Sequence, residues 1–340
     1  MIALQNKQIV FTAPGLAELL DKPVPVPGPG EVLVKVMVST ISSGTERANV
    51  IGDPNTNYRA TGKVKFPRTS GYSTSGVVVQ VGENVKSLVP GNRVAMFWST
   101  HSTYNCLPEN NVVKLPDNIS FEEASLVHIG CFPLAAIRKC RLEVGEAALV
   151  MGQGILGQMA VMLLRAAGAA PVIAADPKLE KRERALELGA DYALDPFDPD
   201  FAKTVKELTG DGVPVCIEVT GFGSGLDGAL DCMKRFGRVA LLGCTRNSDF
   251  TIDYYRKVHG PGVVLYGAHT VARPDYESSP GMWTTRDDML AILKLISMGR
   301  LNLKQLIEET HLPQEATEMY TRLCNEKSFP VVQFDWSDME

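Results

Sequence analysis

Two periods of apolar and polar residues divide the chain. Up to about residue 120, apolar and polar positions alternate as strands should over Gln8 to Phe11 and Glu31 to Ser39, and Gly76 to Val81 and Arg93 to Phe97 are further β-rich runs. Pro23, Pro25, Pro27 and Pro29 make an extended lead-in to the second of these strands, because proline removes the N–H that a helix interior needs. Gly82-Glu83-Asn84 and Pro90-Gly91-Asn92 supply the turns. This part predicts a compact, mostly β domain with long loops.

From Phe121 the period lengthens. Phe121 to Val127 and Pro133 to Arg141 predict helices. Strands are then predicted at 147–151, 171–175, 192–194, 214–219 and 238–242, alternating with helices at 158–167, 179–188, 200–208 and 226–236. Such alternation implies βαβ units and a parallel sheet, to which Val263 to Gly267 adds a sixth strand. Pro274 to Gly281 reads as a loop, and a helix follows from about Arg286, with Thr285 as N-cap, Asp288 at the capping-box position and Gly299 as stop. Gln314 to Cys324 predicts a last helix and Val331 to Phe334 a last strand. The expected class is α/β, with a β-rich N-terminal domain and a doubly wound parallel-sheet domain.

The stretch from Ala147 to Ala160 carries the chemistry. An apolar strand runs through Gly152-Gln153-Gly154-Ile155-Leu156-Gly157 into an apolar helix, an arrangement that lays a dinucleotide pyrophosphate on a helix N-terminus. Pro171 to Ala175 supplies the next strand, and Asp176 closes it 19 residues after Gly157, where a carboxylate can accept hydrogen bonds from ribose hydroxyls. A carboxylate there repels a 2′-phosphate, so NAD is expected over NADP, although Lys178 and Lys181 lie close enough to soften that rule. The bland alternative is a tight glycine turn that binds nothing.

Composition narrows the classes. At 340 residues two domains are expected, and no apolar run approaches the roughly 18 to 20 residues that would span a bilayer. A net charge of −5 argues against a nucleic-acid surface. The seven cysteines form no Cys-x-x-Cys, and Met1 to Lys7 lacks the features of a secretory signal, so a reducing, cytoplasmic setting is expected.

The chain resembles the medium-chain dehydrogenase/reductase superfamily, also called the zinc-type alcohol dehydrogenase family, over nearly its full length. The likeness is carried by Pro27 to Val36, Gly71-Tyr72-Ser73-Thr74-Ser75-Gly76-Val77-Val78, Val89 to Ala95 and the glycine motif. It implies a GroES-like catalytic and substrate domain over 1–129 and 272–340, and a Rossmann NAD-binding domain over 130–271, with the active site in the cleft between them. It also places the turns at Thr220-Gly221 and Gly243 beside the nicotinamide, and implies a homodimer or homotetramer paired along the strand Val263 to Tyr266.

Zinc members of this family hold a catalytic zinc with a Cys, a His in a Gly-His-Glu motif, and a third Cys or Glu about 24 residues before the first motif glycine. The matching positions here are Ser43, Tyr72 and His128, which leaves one good zinc donor. The four-cysteine lobe of a structural zinc is missing between Phe97 and Pro108. Both metal sites are expected to be absent. The stretch Ser42-Ser43-Gly44-Thr45-Glu46-Arg47 looks like the Ser/Pro-Gly-Thr-Glu pattern of a zinc-less branch that includes bacteriochlorophyllide dehydrogenase-like proteins.

Without a metal, side chains must polarise the substrate oxygen. Tyr72 can donate a hydrogen bond or relay a proton, Ser43 and Thr45 can orient the same oxygen, and His128 can act as acid or base. Glu46 and Arg47, placed in the same loop, are candidate substrate contacts, Arg47 toward an anionic group. Against these roles, Tyr72 can simply fill the volume a zinc site vacates, His128 can be a satisfied helix-end histidine, and Glu46 with Arg47 a weak local ion pair.

The leading expectation is a zinc-independent, NAD-dependent dehydrogenase for a secondary alcohol such as a polyol or sugar derivative, with a small-molecule substrate and no nucleic-acid or membrane partner. The alternatives are an NADPH-dependent quinone or enoyl reductase, and a nucleotide-binding sensor or partner protein without catalysis. The substrate itself depends on loops such as Ile51 to Phe66 and Pro274 to Trp283.

Overall fold

A computed structural model describes residues 5–56 and 64–339; residues 57–63, within the segment 51–66 expected as a loop, lie outside the described residues. The chain divides into two compact units, 1–129 with 289–340 and 130–288. The segment 272–288, expected in the first domain, clusters with the second. There the Arg273 guanidinium donates to the Cys131 carbonyl at 2.8 Å and to Asp288 at 3.2 Å.

The first unit opens with β1 (Asn6–Ala13), β2 (Leu16–Lys22) and β3 (Glu31–Thr40), followed by α1 (Ser43–Ile51). It continues through β4 (Arg68–Thr69), β5 (Ser73–Val81), β6 (Arg93–Phe97), β7 (Tyr104–Pro108), β8 (Val112–Lys114) and α2 (Phe121–Ala124). The helix α3 (Val127–Lys139) contains Pro133, where the expected helices were separate. β2, β7 and β8 carry no alternating signal, since the apolar residues of β2 fall in adjacent pairs and β7 and β8 are short.

The second unit alternates β9 (Ala148–Met151), α4 (Ile155–Ala166), β10 (Val172–Ala175), α5 (Leu179–Glu187), β11 (Tyr192–Leu194), α6 (Phe201–Thr209), β12 (Val213–Glu218), α7 (Gly223–Asp231), β13 (Met233–Leu241) and β14 (Val264–Gly267). Its six strands pair in the order β11-β10-β9-β12-β13-β14, all parallel, which is the doubly wound Rossmann order. β9 and β10 are buried at every position, as parallel strands covered on both faces must be. The expected helix 226–236 stops at Asp231, since Met233 already pairs with Val213 in the sheet.

After α8 (Thr285–Ser297), the chain adds β15 (Glu309–His311), α9 (Ala316–Asn325) and β16 (Val332–Asp335) to the first unit. Its larger sheet runs β15-β16-β3-β5-β6-β8, with β7 pairing β3, and its core packs Phe11, Val34, Met96, Tyr320, Phe334 and Trp336. The cap of α8 is Thr284 rather than Thr285, its hydroxyl accepting the Asp287 N–H at 3.1 Å. Asp288 instead turns inward, fully buried between Arg138 at 2.8 Å and Arg273 at 3.2 Å. Among the described residues no helix is long and apolar enough to cross a membrane.

Candidate active site

In the second unit the glycine motif forms the turn its spacing demands. β9 ends at Met151, Gly154 is the N-cap of α4, and Gly152 takes φ +93°, a conformation that favours glycine. A Cβ on Gly157 would lie 1.9 Å from the Gly152 carbonyl oxygen, so only glycine lets α4 approach the turn. A Cβ on Gly154 would meet nothing within 4 Å, leaving space beside the helix N-terminus, where Ile155 and Leu156 open the first turn and an anion is favoured.

Asp176 follows β10 directly. Its carboxylate accepts the Gln153 N–H at 2.8 Å and the Lys178 N–H at 2.9 Å, which fixes it beside the glycine turn. Lys181 lies on α5, but the cation bonded at this strand end is Arg182, donating to the carbonyls of Asp176 and Pro177 at 2.9 Å each and to Asp195 at 3.3 Å. Arg182 was not foreseen, because a helix-surface arginine carries no signal of its target.

The turns after β12 and β13 interlock. Gly221 takes φ +69°, and a Cβ on Gly243 would come 2.3 Å from the Gly221 nitrogen. The Glu218 carboxylate, also unforeseen, accepts the Thr220 N–H at 2.7 Å, the Gly221 N–H at 3.2 Å and the Thr220 hydroxyl. Burial pushes its carboxyl above the ordinary range, and these bonds only partly offset that.

In the first unit the stretch expected as a loop is the start of a helix. α1 begins at Ser43, the Ser42 N–H donates to the Glu46 carboxylate at 2.8 Å, and Gly52 closes the helix at φ +75°. Ser43 and Thr45 are half-buried on its first turn. The Tyr72 hydroxyl donates to the Ser42 hydroxyl, and the Tyr72 carbonyl accepts from His128 Nδ1 at 2.7 Å. The Tyr72 and His128 rings stand edge-on, 5.3 Å between centroids and 81° apart. Trp98 completes the group, 5.0 Å from His128 and 6.0 Å from Tyr72, with φ +57° and 42% of its surface exposed. The sequence marks this exposed tryptophan, in a conformation that L side chains rarely adopt, only as the residue after a strand.

The two expected substrate contacts each have partners within the fold. Glu46 is 1% exposed and is bonded to Ser42, Ser70, His101 and Tyr320, so its carboxylate faces the interior. Arg47 donates to the Glu326 carbonyl at 2.8 Å rather than pairing with Glu46. Helical geometry causes both, since adjacent helix residues point about 100° apart.

The site brings Tyr72, His128 and Ser42 together, and a phenol, a hydroxyl and one imidazole are a poor donor set for zinc. Among the described residues no three His, Cys, Asp or Glu side chains gather as metal donors. The donors present do not fit the metal. The glycine turn with Asp176 does fit a dinucleotide.

Known proteins match on both units. Residues 28–133 match the alcohol dehydrogenase GroES-like domain and residues 156–279 the zinc-binding dehydrogenase family. The chain is 30% identical to L-threonine 3-dehydrogenase of Pyrococcus horikoshii over 335 residues, covering 88% of this chain and 89% of that protein. It is 30% identical to sorbitol dehydrogenase of Ovis aries over 276 residues, covering 71% and 76%. The crystal structure of 2R,3R-butanediol dehydrogenase from Bacillus subtilis superposes with a TM-score of 0.80 at 25% identity, covering 97% of this chain and 99% of that one. The chain therefore belongs to the zinc-type alcohol dehydrogenase family of the medium-chain dehydrogenase/reductase superfamily, and is an NAD(P)-dependent oxidoreductase.

Proposed function

We propose that the protein is a zinc-independent, NAD-dependent dehydrogenase of a secondary alcohol, a polyol or sugar derivative, belonging to the zinc-less branch of its family. The observation that carries this reading is the Tyr72 site. A phenol stands where zinc relatives place a metal-ligating imidazole, and both ends of Tyr72 are held, the hydroxyl by Ser42 and the carbonyl by His128.

Gly152, Gly154 and Gly157 would cradle the pyrophosphate with the Ile155 and Leu156 N–H groups, Asp176 would accept the ribose hydroxyls, and Thr220, Gly221 and Gly243 would border the nicotinamide. Bound NAD supplies the hydride acceptor. The residues of the first unit would handle the proton: Tyr72 as the phenolate takes the proton of the alcohol in oxidation and as the phenol gives it back to the carbonyl in reduction, with Ser43 and Thr45 orienting that oxygen and His128 fixing the tyrosine. Relatives named for threonine, sorbitol and butanediol support an alcohol as substrate.

The test is a panel of secondary alcohols, polyols and glycosides oxidised with NAD or NADP after exhaustive chelation. NAD-linked turnover that survives the chelator is expected. Turnover lost on chelation and restored by zinc sinks the metal-free reading, and turnover only of quinones or enones with NADPH replaces it with a reductase. Tight NAD binding with no turnover of any of these would indicate a nucleotide sensor.

A further inference from the structure

Behind Tyr72 lies a buried carboxylate that the chemistry above does not use. Glu46 is 1% exposed and gathers four donors: the Ser42 N–H at 2.8 Å, the Ser70 hydroxyl at 2.8 Å, His101 Nε2 at 3.1 Å and the Tyr320 hydroxyl. They come from the start of α1, the approach to β5, the β6–β7 connection and α9. Burying a carboxylate costs several kcal/mol unless donors replace its water. Burial pushes Glu46 up, but His101 and the hydrogen bonds outweigh it, so the carboxyl lies below its ordinary range.

His101 is itself fixed. It is 0% exposed, its Nδ1 lies 2.7 Å from the Ser39 hydroxyl, and Trp336 Nε1 donates to the same hydroxyl at 2.8 Å. With a proton on Nε2, whether the ring is neutral or charged, the imidazole donates to Glu46.

Two arms lead from this pair to Tyr72. Through the first, Glu46 holds the Ser42 backbone, and the Ser42 hydroxyl receives the Tyr72 phenol. The second runs through the backbone before the tyrosine. Gly71 takes φ +86°, a Cβ on it would lie 2.7 Å from the His101 nitrogen and 2.8 Å from its ring, and the His101 N–H donates to the Ser70 carbonyl at 3.0 Å. The His101 ring therefore sets the path of the chain into Tyr72.

We propose that Glu46, with His101 and Tyr320, is the positioning group for Tyr72, fixing its phenol through Ser42 and its backbone through Ser70 and Gly71. The inference rests on the role proposed above for Tyr72. These residues are buried and act through the tyrosine rather than on substrate.

The test uses the full chain labelled with 3-fluorotyrosine, with the Tyr72 fluorine signal identified as the one lost in Tyr72→Phe. Glu46→Gln and Tyr320→Phe are each expected to move or broaden that signal. They should also lower kcat on the best alcohol of the panel by about tenfold or more while leaving the NAD dissociation constant unchanged. If Glu46→Gln does not fold, Tyr320→Phe, which keeps the carboxylate and removes one donor, carries the test. A Tyr72 signal unmoved in folded variants overturns the proposal, as does, where Tyr72→Phe itself loses activity, a moved signal with kcat unchanged. If Tyr72→Phe keeps full kcat, the role of Tyr72 fails, and the fluorine signal alone decides whether the network places the ring.

Discussion

The Tyr72 hydroxyl donates to Ser42, the residue before the one that stands at the first metal-ligand position of the zinc relatives. Ser42 is 4% exposed and its N–H is tied to Glu46, so the tyrosine is held by a fixed partner. A hydrogen bond of this kind contributes about 0.5–1.5 kcal/mol. Ser42→Ala is expected to lower kcat by about three- to tenfold with NAD affinity unchanged, and Ser43→Ala to lower it less. Steady-state rates on the best panel alcohol check the order of the two.

Cofactor choice rests on Asp176, whose carboxylate is fixed by the N–H groups of Gln153 and Lys178. Asp176→Ala removes the acceptor for the ribose hydroxyls and the repulsion of a 2′-phosphate together. The ratio of NADP to NAD affinity is expected to rise by about tenfold or more, equivalent to about 1.4 kcal/mol. Fluorescence titration with NADH and NADPH measures it, and an unchanged ratio removes Asp176 from the ribose site.

The glycines of the motif differ in kind. Gly157→Ala forces a Cβ to within 1.9 Å of the Gly152 carbonyl oxygen, so helix and turn must separate. An overpacking cost of about 1–3 kcal/mol is expected. Gly154→Ala has open space and φ −72°, so it should fold normally yet weaken NAD by filling the phosphate side. Urea unfolding and NAD titration of the two variants separate these effects.

Acid stability has a local contributor in the first unit. Arg322 hydrogen bonds, with His311 assisting, hold the Glu309 carboxyl down to about 2 against the opposing effect of burial. A carboxyl depressed in the fold contributes stability that is present above its unfolded value, about 4.3, and is lost as the pH falls toward about 2. His311 runs the other way. Burial alone would lower it, but bonds to Glu315 and Glu309 raise it above its ordinary value. Its contribution is full below about 6.5 and fades as the pH rises through the raised value. Glu309→Gln is expected to flatten the stability curve in the acid window, and the slope of unfolding free energy against pH reads the change.

The parts legible in the sequence are those fixed by neighbours along the chain. The glycine turn, Asp176 and the alternation of strand and helix each span a few residues of local pattern, and all lie where their spacing places them. Ser42 to Arg47 was legible as a motif but not as a helix, because serine, glycine and threonine read as a turn; the signals in favour were Glu46 facing back to Ser42 and Gly52 past the end. The pairing of His101 with Glu46 joins residues 55 apart in sequence, and that of Tyr320 with Glu46 residues 274 apart. Only the packing of α1, α9 and the β6–β7 connection creates them, and no periodicity encodes it. Asp288 was misread for the same reason, since its partners Arg138 and Arg273 are distant in sequence.

The central claim is that Tyr72 handles the substrate proton without a metal. It is tested most directly by kcat of Tyr72→Phe against the parent enzyme, both in chelator with saturating NAD and the best panel alcohol. Loss of a general acid–base group predicts a fall of about 10²- to 10⁴-fold, with the NAD dissociation constant unchanged. A Tyr72→Phe enzyme that turns over at the parental rate contradicts the account.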